Sequence, residues 1–586
     1  MGSGEVRLSR RRLLGLGALG GAAALATACG ANTGKTSTGT SSTTTSTTPA
    51  PSTTTSPTTT TTTTTTAPTT TTAAATTVPA TTVPATTVPA TTTTTVPPTT
   101  TTSTTVPPTP ARAADWDALS AQLTGRLSRP GAPSYAVDRE LYDPVFDSIS
   151  PAGVAFCSSA ADVARCVAFA RDHGLPLAAR SGGHGYAGYS TTTGLVIDVS
   201  LMDHVNVASS GERATVGPGA RLIDVYSGLA AHGVSLPAGS CPTVGIAGLS
   251  LGGGIGVMDR LHGLTCDHIV GLEVVTAAGE IVQADAGTHS DLYWACRGGG
   301  GGNFGIVTQF RFSTFAVADV SLFGLSWPWA AAADLLPAWM EWASEGPDEM
   351  WSNCLFEANG EETPPLIQVG GVWAGSQADA QAQLAKLFSV VGPPSSQDIG
   401  ENPFADAMYI EAGCRDLSQA ACHLAGKYPG GTLPRAVTVA KSDIINHPFT
   451  GAGVQAVLAG INERQDRGQA GSVVFDSWGG AINRVAPGAT AFVHRRAQAS
   501  AQYIVEFPAG VATSSVKNAR SWLENWYASL RPYVSGEAYQ NYIDPDLADW
   551  EHAYYGANLP RLKRVKAKWD PDDVFHFAQS IPLPRR

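Results

Sequence analysis

The sequence predicts an α+β chain, with a mixed sheet and packed helices in its first globular half and a second lobe of different composition after about residue 317. Three observations carry this. Strand-like and helix-like segments alternate from Val154 to His232. The 63 glycines, with charged residues at only 15%, suit a loop-rich α/β enzyme more than a helical one. After Phe312 the chain gains tryptophans (Trp327, Trp329, Trp339, Trp342, Trp351 and Trp373) and longer polar loops.

Not all 586 residues are globular. Ser9-Arg10-Arg11-Arg12-Leu13-Leu14 opens an apolar run of small residues ending at Ala28-Cys29. This is the pattern of a twin-arginine export signal, expected over residues 1–29. The run is too short and Gly-rich to suit a permanent helix across a hydrocarbon core of ~30 Å. Ala26-Thr27-Ala28-Cys29 is an imperfect lipobox, because Leu25 lies one place too early. A membrane tether through a lipidated Cys29 and plain cleavage with release are both open, and either gives an extracellular or cell-surface protein. Residues 30–112 are dominated by Thr, Ser, Pro, Ala and Val, with Thr-Thr-Val-Pro-Ala units at Thr76–Ala80, Thr81–Ala85 and Thr86–Ala90. Large apolar side chains are missing, so no core can form, and the segment is expected to be an extended stalk.

In the next region Trp116–Leu127 has helical spacing with Asp115 as N-cap, and globular structure builds from Tyr142. Val154–Phe156, Pro176–Ala179, Leu195–Val199 and Ala214–Val216 read as strands. A helix opens at Ser158-Ser159 and runs to His173 with Gly174 as its stop, and another spans Arg221–His232. In the second lobe Gln377–Val390 reads as a helix capped by Ser376, and Ala436–Ala440 as a strand ending at Lys441-Ser442-Asp443.

The net charge of −11 argues against a nucleic-acid partner, which needs a basic surface. Nine cysteines are few for a disulfide scaffold of this length, and Cys414–Cys422 is the pairing expected.

Two short stretches carry the chemistry. Arg180-Ser181-Gly182-Gly183-His184-Gly185-Tyr186 sets an imidazole at the edge of a turn whose glycines let the backbone approach a ligand. Gly239-Ser240-Cys241-Pro242-Thr243-Val244-Gly245 sets a thiol in a second tight turn. Alone, a His in a Gly-rich loop is usually a loop residue, and a lone Cys a small buried hydrophobe. Cys241 lacks a Cys or His at metal-ligand spacing, so no metal site is expected. Gly252–Gly256 only partly matches a dinucleotide-binding turn, because a Cys-Pro turn precedes it rather than a buried strand.

The two stretches are followed by Ile246–Gly256, which includes Gly248, Gly253 and Gly254, then by Asp291–Trp294 and Arg297–Thr308, which includes Gly305, Ile306 and Val307. This series resembles the berberine-bridge-enzyme-like flavoprotein oxidases, whose FAD-binding domain is of the p-cresol methylhydroxylase type. The resemblance implies an FAD domain at 113–317 with its core at 146–317. It implies a substrate domain at 318–534 with an antiparallel sheet backed by helices, and a segment at 535–586 that completes the FAD domain. It implies FAD bound through both His184 and Cys241, with Arg180, Ser181, Gly182, Gly183, Gly185, Val244, Gly245, Gly248, Gly253, Gly254, Gly305, Ile306, Val307 and Asn541 around the cofactor. Val244 matches a family position that governs dioxygen access. With Cys29 and Cys241 both modified, seven cysteines would remain, an odd number.

The family's Tyr-x-Asn element matches Tyr539-Gln540-Asn541. Read as a strand, it points Tyr539 and Asn541 one way and Tyr542 the other, and the resemblance implies Tyr539 as catalytic base. Asp476, in Ser472–Trp478, matches a carboxylate of carbohydrate-oxidising relatives. It is the expected proton partner, with Tyr186 nearby. His494 and Arg495 read as a strand-borne structural pair. The function implied is oxidation of a hydroxyl-bearing small molecule, a sugar or other alcohol, with dioxygen as acceptor. Alternatives are oxidative tailoring of a secondary metabolite, or a surface binding protein without turnover.

Overall fold

Four short strands open the described chain in the order Arg126–Ser128, Gly153–Phe156, Leu195–Asp198, Leu177–Arg180. The structure, a computed structural model, describes residues 110–360 and 363–585. The export signal, nearly all of the stalk and Cys29 lie outside the described residues. The inner strands pair in parallel, and Val154, Ala155, Leu195, Val196 and Ile197 are fully buried, as continuous apolar runs between covered faces require. The helix Ala160–Asp172 packs on this sheet through Val163, Cys166 and Val167. Ser159 caps it, its Oγ accepting from the Asp162 N–H at 3.2 Å.

A five-stranded antiparallel sheet follows: Val205–Val207, Arg213–Val216, Ile306–Ser313, Ile269–Val275 and Ile281–Ala284. The third layer is a seven-stranded antiparallel sheet starting at Val320, ordered Ser396–Asn402, Val320–Trp327, Leu366–Trp373, Met350–Asn359, Ala470–Ser477, Ala499–Pro508, Ala436–Ile445. Alternation divides its residues. Val473, Phe475, Ala501, Tyr503 and Val505 pack into a core with the helices Ala332–Glu345, Gln377–Val391, Gly451–Asp466 and Thr513–Leu530. Val474, Asp476, Gln502 and Glu506 face the other way and line a cavity. This is the α+β fold expected. Cys414 and Cys422 form the expected disulfide, with Cα atoms 5.9 Å apart.

Four elements differ from expectation. The first helix is Ala113–Gln122 rather than Trp116–Leu127, and Arg112 rather than Asp115 precedes it as cap. It stops because Gly125 lies against the Phe156 carbonyl, where a Cβ would collide, and the chain turns into the strand Arg126–Ser128. Globular packing therefore starts at Trp116 and Leu119, ahead of Tyr142. The strand holding Lys441-Ser442-Asp443 runs on to Ile445, since its partner continues to Ala499. Lys441 pairs with Asp544 at 2.7 Å and Asp443 with Arg531, so these charges serve packing and not the cavity. Thr490–Arg495 is a loop, held by Arg297 O, which accepts from the Ala491 and Phe492 N–H groups. Its Arg495 binds Asp267 through two bonds of 2.8 and 2.7 Å, a structural tie as expected. Finally, Gln540–Tyr542 is a 3-10 turn, not a strand.

Trp339 is fully buried between its helix and the seven-stranded sheet, and its Nε1 donates to Ser352 Oγ at 3.0 Å. Trp339→Ala is expected to cost about 3–5 kcal/mol, read as a lowered denaturation midpoint.

Candidate functional site

Two loops far apart in sequence meet through their glycines. A Cβ on Gly182 would collide with the backbone of Gly245, and a Cβ on Gly245 with Ser181 Oγ and Gly182 N. Gly183 adopts φ +70°, a conformation that favours glycine. The contact holds His184 beside the second loop, where its Nε2 lies 2.9 Å from Thr243 Oγ1. The ring stacks on Tyr142 with centroids 4.1 Å apart. Burial and the Arg221 charge lower the His184 pKa to about 3, so the imidazole is neutral. On the second loop the N–H groups of Leu222 and Ile223 donate to Val244 O at 3.0 Å and Pro242 O at 3.1 Å, anchoring the turn that carries Cys241.

Both loops line one cavity of about 550 Å³. Arg180, Ser181, Gly182, Gly183, His184, Gly185, Tyr186, Cys241, Val244, Gly245 and Gly248 are in its wall, with Gly305, Ile306, Val307, Asp476, Tyr539 and Asn541. The Arg180 guanidinium turns away into a buried pair with Asp198 and donates to Asp138 O at 2.6 Å, while Ser181 Oγ donates to Pro218 O at 2.6 Å. These two therefore shape the loop with their side chains and offer the cavity backbone. Gly253 and Gly254 do not line it. A Cβ on Gly253 would press on Phe492 and Tyr539, and the Gly254 N–H donates to Tyr539 Oη at 2.8 Å, so both glycines seat Tyr539.

The 3-10 turn overturns the expected facing of the two tyrosines. Tyr539 and Asn541 do meet, with Asn541 Nδ2 donating to Tyr539 Oη at 2.7 Å. With the Gly254 bond as well, the Tyr539 hydroxyl already accepts twice. Tyr542 does not point away but joins the same cavity wall. Its ring stacks on Tyr186 at 6.0 Å, and its phenol is the one on which the Asp476 charge acts. Burial, then Asp476 and Tyr186, push the Tyr542 pKa well up. Tyr186 is held by Gln502, whose Nε2 donates to its Oη at 2.8 Å. Burial raises the Asp476 pKa from 3.8 to about 7, against a smaller opposing effect of the Ser500 hydroxyl. Sequence reasoning missed Tyr542 by assuming a period of two. It also missed Gln502, and among the six tryptophans it could not single out Trp351, which alone of them lines the cavity.

The wall suits an elongated, polar-edged cofactor. Nothing lies within 4 Å of where a Cβ would sit on Gly185 or Gly248, so the free space reaches the backbone there. Thr191 Oγ1, Thr438 Oγ1 and Asp476 Oδ1 are buried in the wall without a protein hydrogen-bond partner. Among the described residues no three or more of His, Cys, Asp and Glu gather in a group that could hold a metal ion.

Comparison with known proteins identifies the cofactor. A family model for the FAD binding domain matches residues 151–285, and one for berberine and berberine-like proteins matches residues 538–582. The uncharacterised FAD-linked oxidoreductase YgaK of Bacillus subtilis is 32% identical over 474 residues, covering 79% of this chain and 98% of that protein. The xylooligosaccharide oxidase of Thermothelomyces thermophilus is 28% identical over 453 residues, covering 74% of this chain and 87% of that one. Among solved structures, BBE-like 1 of Physcomitrella patens superposes with a TM-score of 0.73 at 30% identity, over 80% of this chain and 99% of its own. Fold, cavity and matches define the class as an FAD-linked oxidoreductase. The chain belongs to the berberine-bridge-enzyme-like family of these oxidoreductases.

Gly245→Ala is expected to force the two loops apart, costing about 1–3 kcal/mol as overpacking does, and to break the His184–Thr243 bond. A lowered melting temperature together with a changed His184 imidazole resonance checks it.

Proposed function

We propose that the chain is an exported oxidase acting on a hydroxyl-bearing carbon of a saccharide or similar alcohol. FAD would be held covalently through both His184 and Cys241, with dioxygen as final acceptor and hydrogen peroxide as product. The observation that carries the reading is the meeting in one cavity of a neutral imidazole, a carboxyl group poised near neutrality and two stacked phenols. FAD, when bound, supplies the acceptor for hydride.

The chain's own residues handle the proton. An unperturbed phenol is already a poor base near pH 7, and burial makes Tyr186 and Tyr542 poorer still. A substrate hydroxyl at Tyr542 can be deprotonated only if the phenol passes its proton on. Asp476, with a pKa of about 7, is the recipient suited to that pH. Tyr186, fixed by Gln502, orients the same hydroxyl. Tyr539 then has a positioning role, holding Asn541 against the Gly254 turn. The unprotonated His184 is the form able to bond to carbon. The thioether would form at the Cys241 sulfur, which the second turn brings into the cavity wall. Val244 in the cavity wall favours dioxygen as acceptor, and the similarity to a xylooligosaccharide oxidase favours a saccharide. The division at about residue 317 is supported by the change of sheet between Ser313 and Val320. The twin-arginine segment and stalk support export to the cell surface, with Cys29 as a candidate lipid anchor.

Intact-protein mass spectrometry under denaturing conditions tests the attachment. The parent is expected to carry one FAD mass, and His184→Ala/Cys241→Ala none. A parent with both residues bare after expression with ample FAD would sink the reading.

Tyr542→Phe is expected to lower kcat about a hundredfold to ten-thousandfold, whereas Tyr539→Phe loses mainly stability, about 1–3 kcal/mol. Steady-state peroxide release on oligosaccharides, alongside thermal melts, separates the two.

The parent's kcat/KM is expected to rise with pH around 7 as Asp476 loses its proton. Asp476→Asn should flatten that limb. Stability has the opposite sign. The folded pKa lies above the ordinary 3.8, so the penalty of a buried charge grows from about pH 4 and is complete above about 7. Asp476→Asn should therefore be the more stable form at pH 8, on the order of a few kcal/mol, in denaturation at pH 4 and pH 8.

A further inference from the structure

Behind the cavity lies a separate apolar cluster in which Tyr142 and Ile223 pack with Cys414, Cys422, Leu424 and Leu433. Both Tyr142 and Ile223 also reach the loops in front. Tyr142 stacks on His184, and its N–H donates to Gly183 O at 3.1 Å. The Ile223 N–H donates to Pro242 O, the residue after Cys241. From the outer side the disulfide loop grips the helix Leu222–Ala230. Gln419 Nε2 donates to Asp224 Oδ1 at 2.7 Å, and His423 Nε2 lies 2.9 Å from Asp224 Oδ2. Tyr409, just ahead of the disulfide, has its hydroxyl 3.0 Å from Ser227 Oγ. The helix is thus held between the Cys241 turn and the loop closed by Cys414–Cys422. The proposed chemistry uses none of these outer contacts.

We propose that the Cys414–Cys422 disulfide is a positioning element for the two flavin-attachment loops: by closing its loop over Tyr142 and the helix Leu222–Ala230, it holds His184 and the Cys241 turn in register. The inference rests on the proposed attachment roles, but its geometric content stands without them. A cross-link that removes alternative arrangements of residues 414–422 keeps the cluster packed. Reacting groups need that kind of pre-set geometry to bond at all.

The test compares the full-length parent with Cys414→Ser/Cys422→Ser by amide hydrogen exchange and intact mass. The amides of Tyr142, Leu222 and Ile223 should exchange at least tenfold faster in the variant, while Val473 and Phe475 in the seven-stranded sheet keep parental rates. The fraction of chains with flavin bonded at both His184 and Cys241 should fall at least threefold. Unchanged rates at the three amides, or an equal acceleration in the sheet, would overturn the proposal, as would parental covalent occupancy. If the parent itself carries no covalent flavin, the attachment reading fails on its own while the amide rates still decide this one. Should the double serine variant not fold, Gln419→Ala/His423→Ala leaves the disulfide and removes the grip on Asp224. About threefold faster exchange at the same amides is then expected, and unchanged rates count against the proposal.

Discussion

The structure depends on one steric condition: the backbones at Gly182 and Gly245 touch. Any side chain at either position would occupy space that the other loop already fills. The contact joins the end of a parallel strand in the first sheet to a turn some sixty residues later, and it sets the His184 ring against Thr243. Without it the imidazole and the Cys241 turn would sit on independent loops, whose relative placement no hydrogen bond within either loop could fix. The burial that keeps His184 neutral follows from the same contact, because the ring is enclosed between Tyr142 and the second loop.

The seven-stranded sheet supplies the opposite kind of constraint. Its helix-facing side holds a buried apolar core, and the charges on that side, Lys441 and Asp443, are paired with Asp544 and Arg531. Its other face carries Asp476, a carboxylic acid with an unpartnered oxygen in a buried setting. An isolated acid there is costly when ionised, and stability alone would favour a neutral side chain. Its placement in the cavity wall, within electrostatic reach of Tyr542, is where such a cost has a chemical use.

Much of this was legible in the sequence for physical reasons. The parallel strands are continuous apolar runs, and the helix Ala160–Asp172 has a serine cap and a glycine stop, signals that depend on local chemistry alone. The glycine-rich loops were legible because close backbone approach has few other solutions. What could not be read was set by distant parts of the chain. The Tyr539–Tyr542 segment looks like a strand by composition, yet among the described residues it pairs with no strand, and it winds into a 3-10 turn. That change of period brings Tyr542 into the same cavity wall as Tyr539. Gly253 and Gly254 resemble ligand-binding glycines, but the space before Gly253 is taken by Phe492 and Tyr539 from the last third of the chain, and that before Gly254 by Thr265 and Leu249. Trp351 is one tryptophan among six in composition, and only the sheet's alternation decides that it faces the cavity.

The ionisable groups of the cavity also limit how a proton can move. Burial raises the pKa of Tyr186, Tyr539 and Tyr542 alike, and the negative charge of Asp476 raises that of Tyr542 further. Phenolate at Tyr542 and carboxylate at Asp476 therefore oppose each other, and the pair holds one proton far more readily than none. A phenol that could keep its own negative charge would need a cation beside it. The cations in reach point elsewhere: Arg180 is bound to Asp198, and Lys441 to Asp544 on the far side of its strand. On the proposed reading, then, the two groups act as one base. Tyr542 makes the contact with substrate, and Asp476 sets the pH at which that contact is productive.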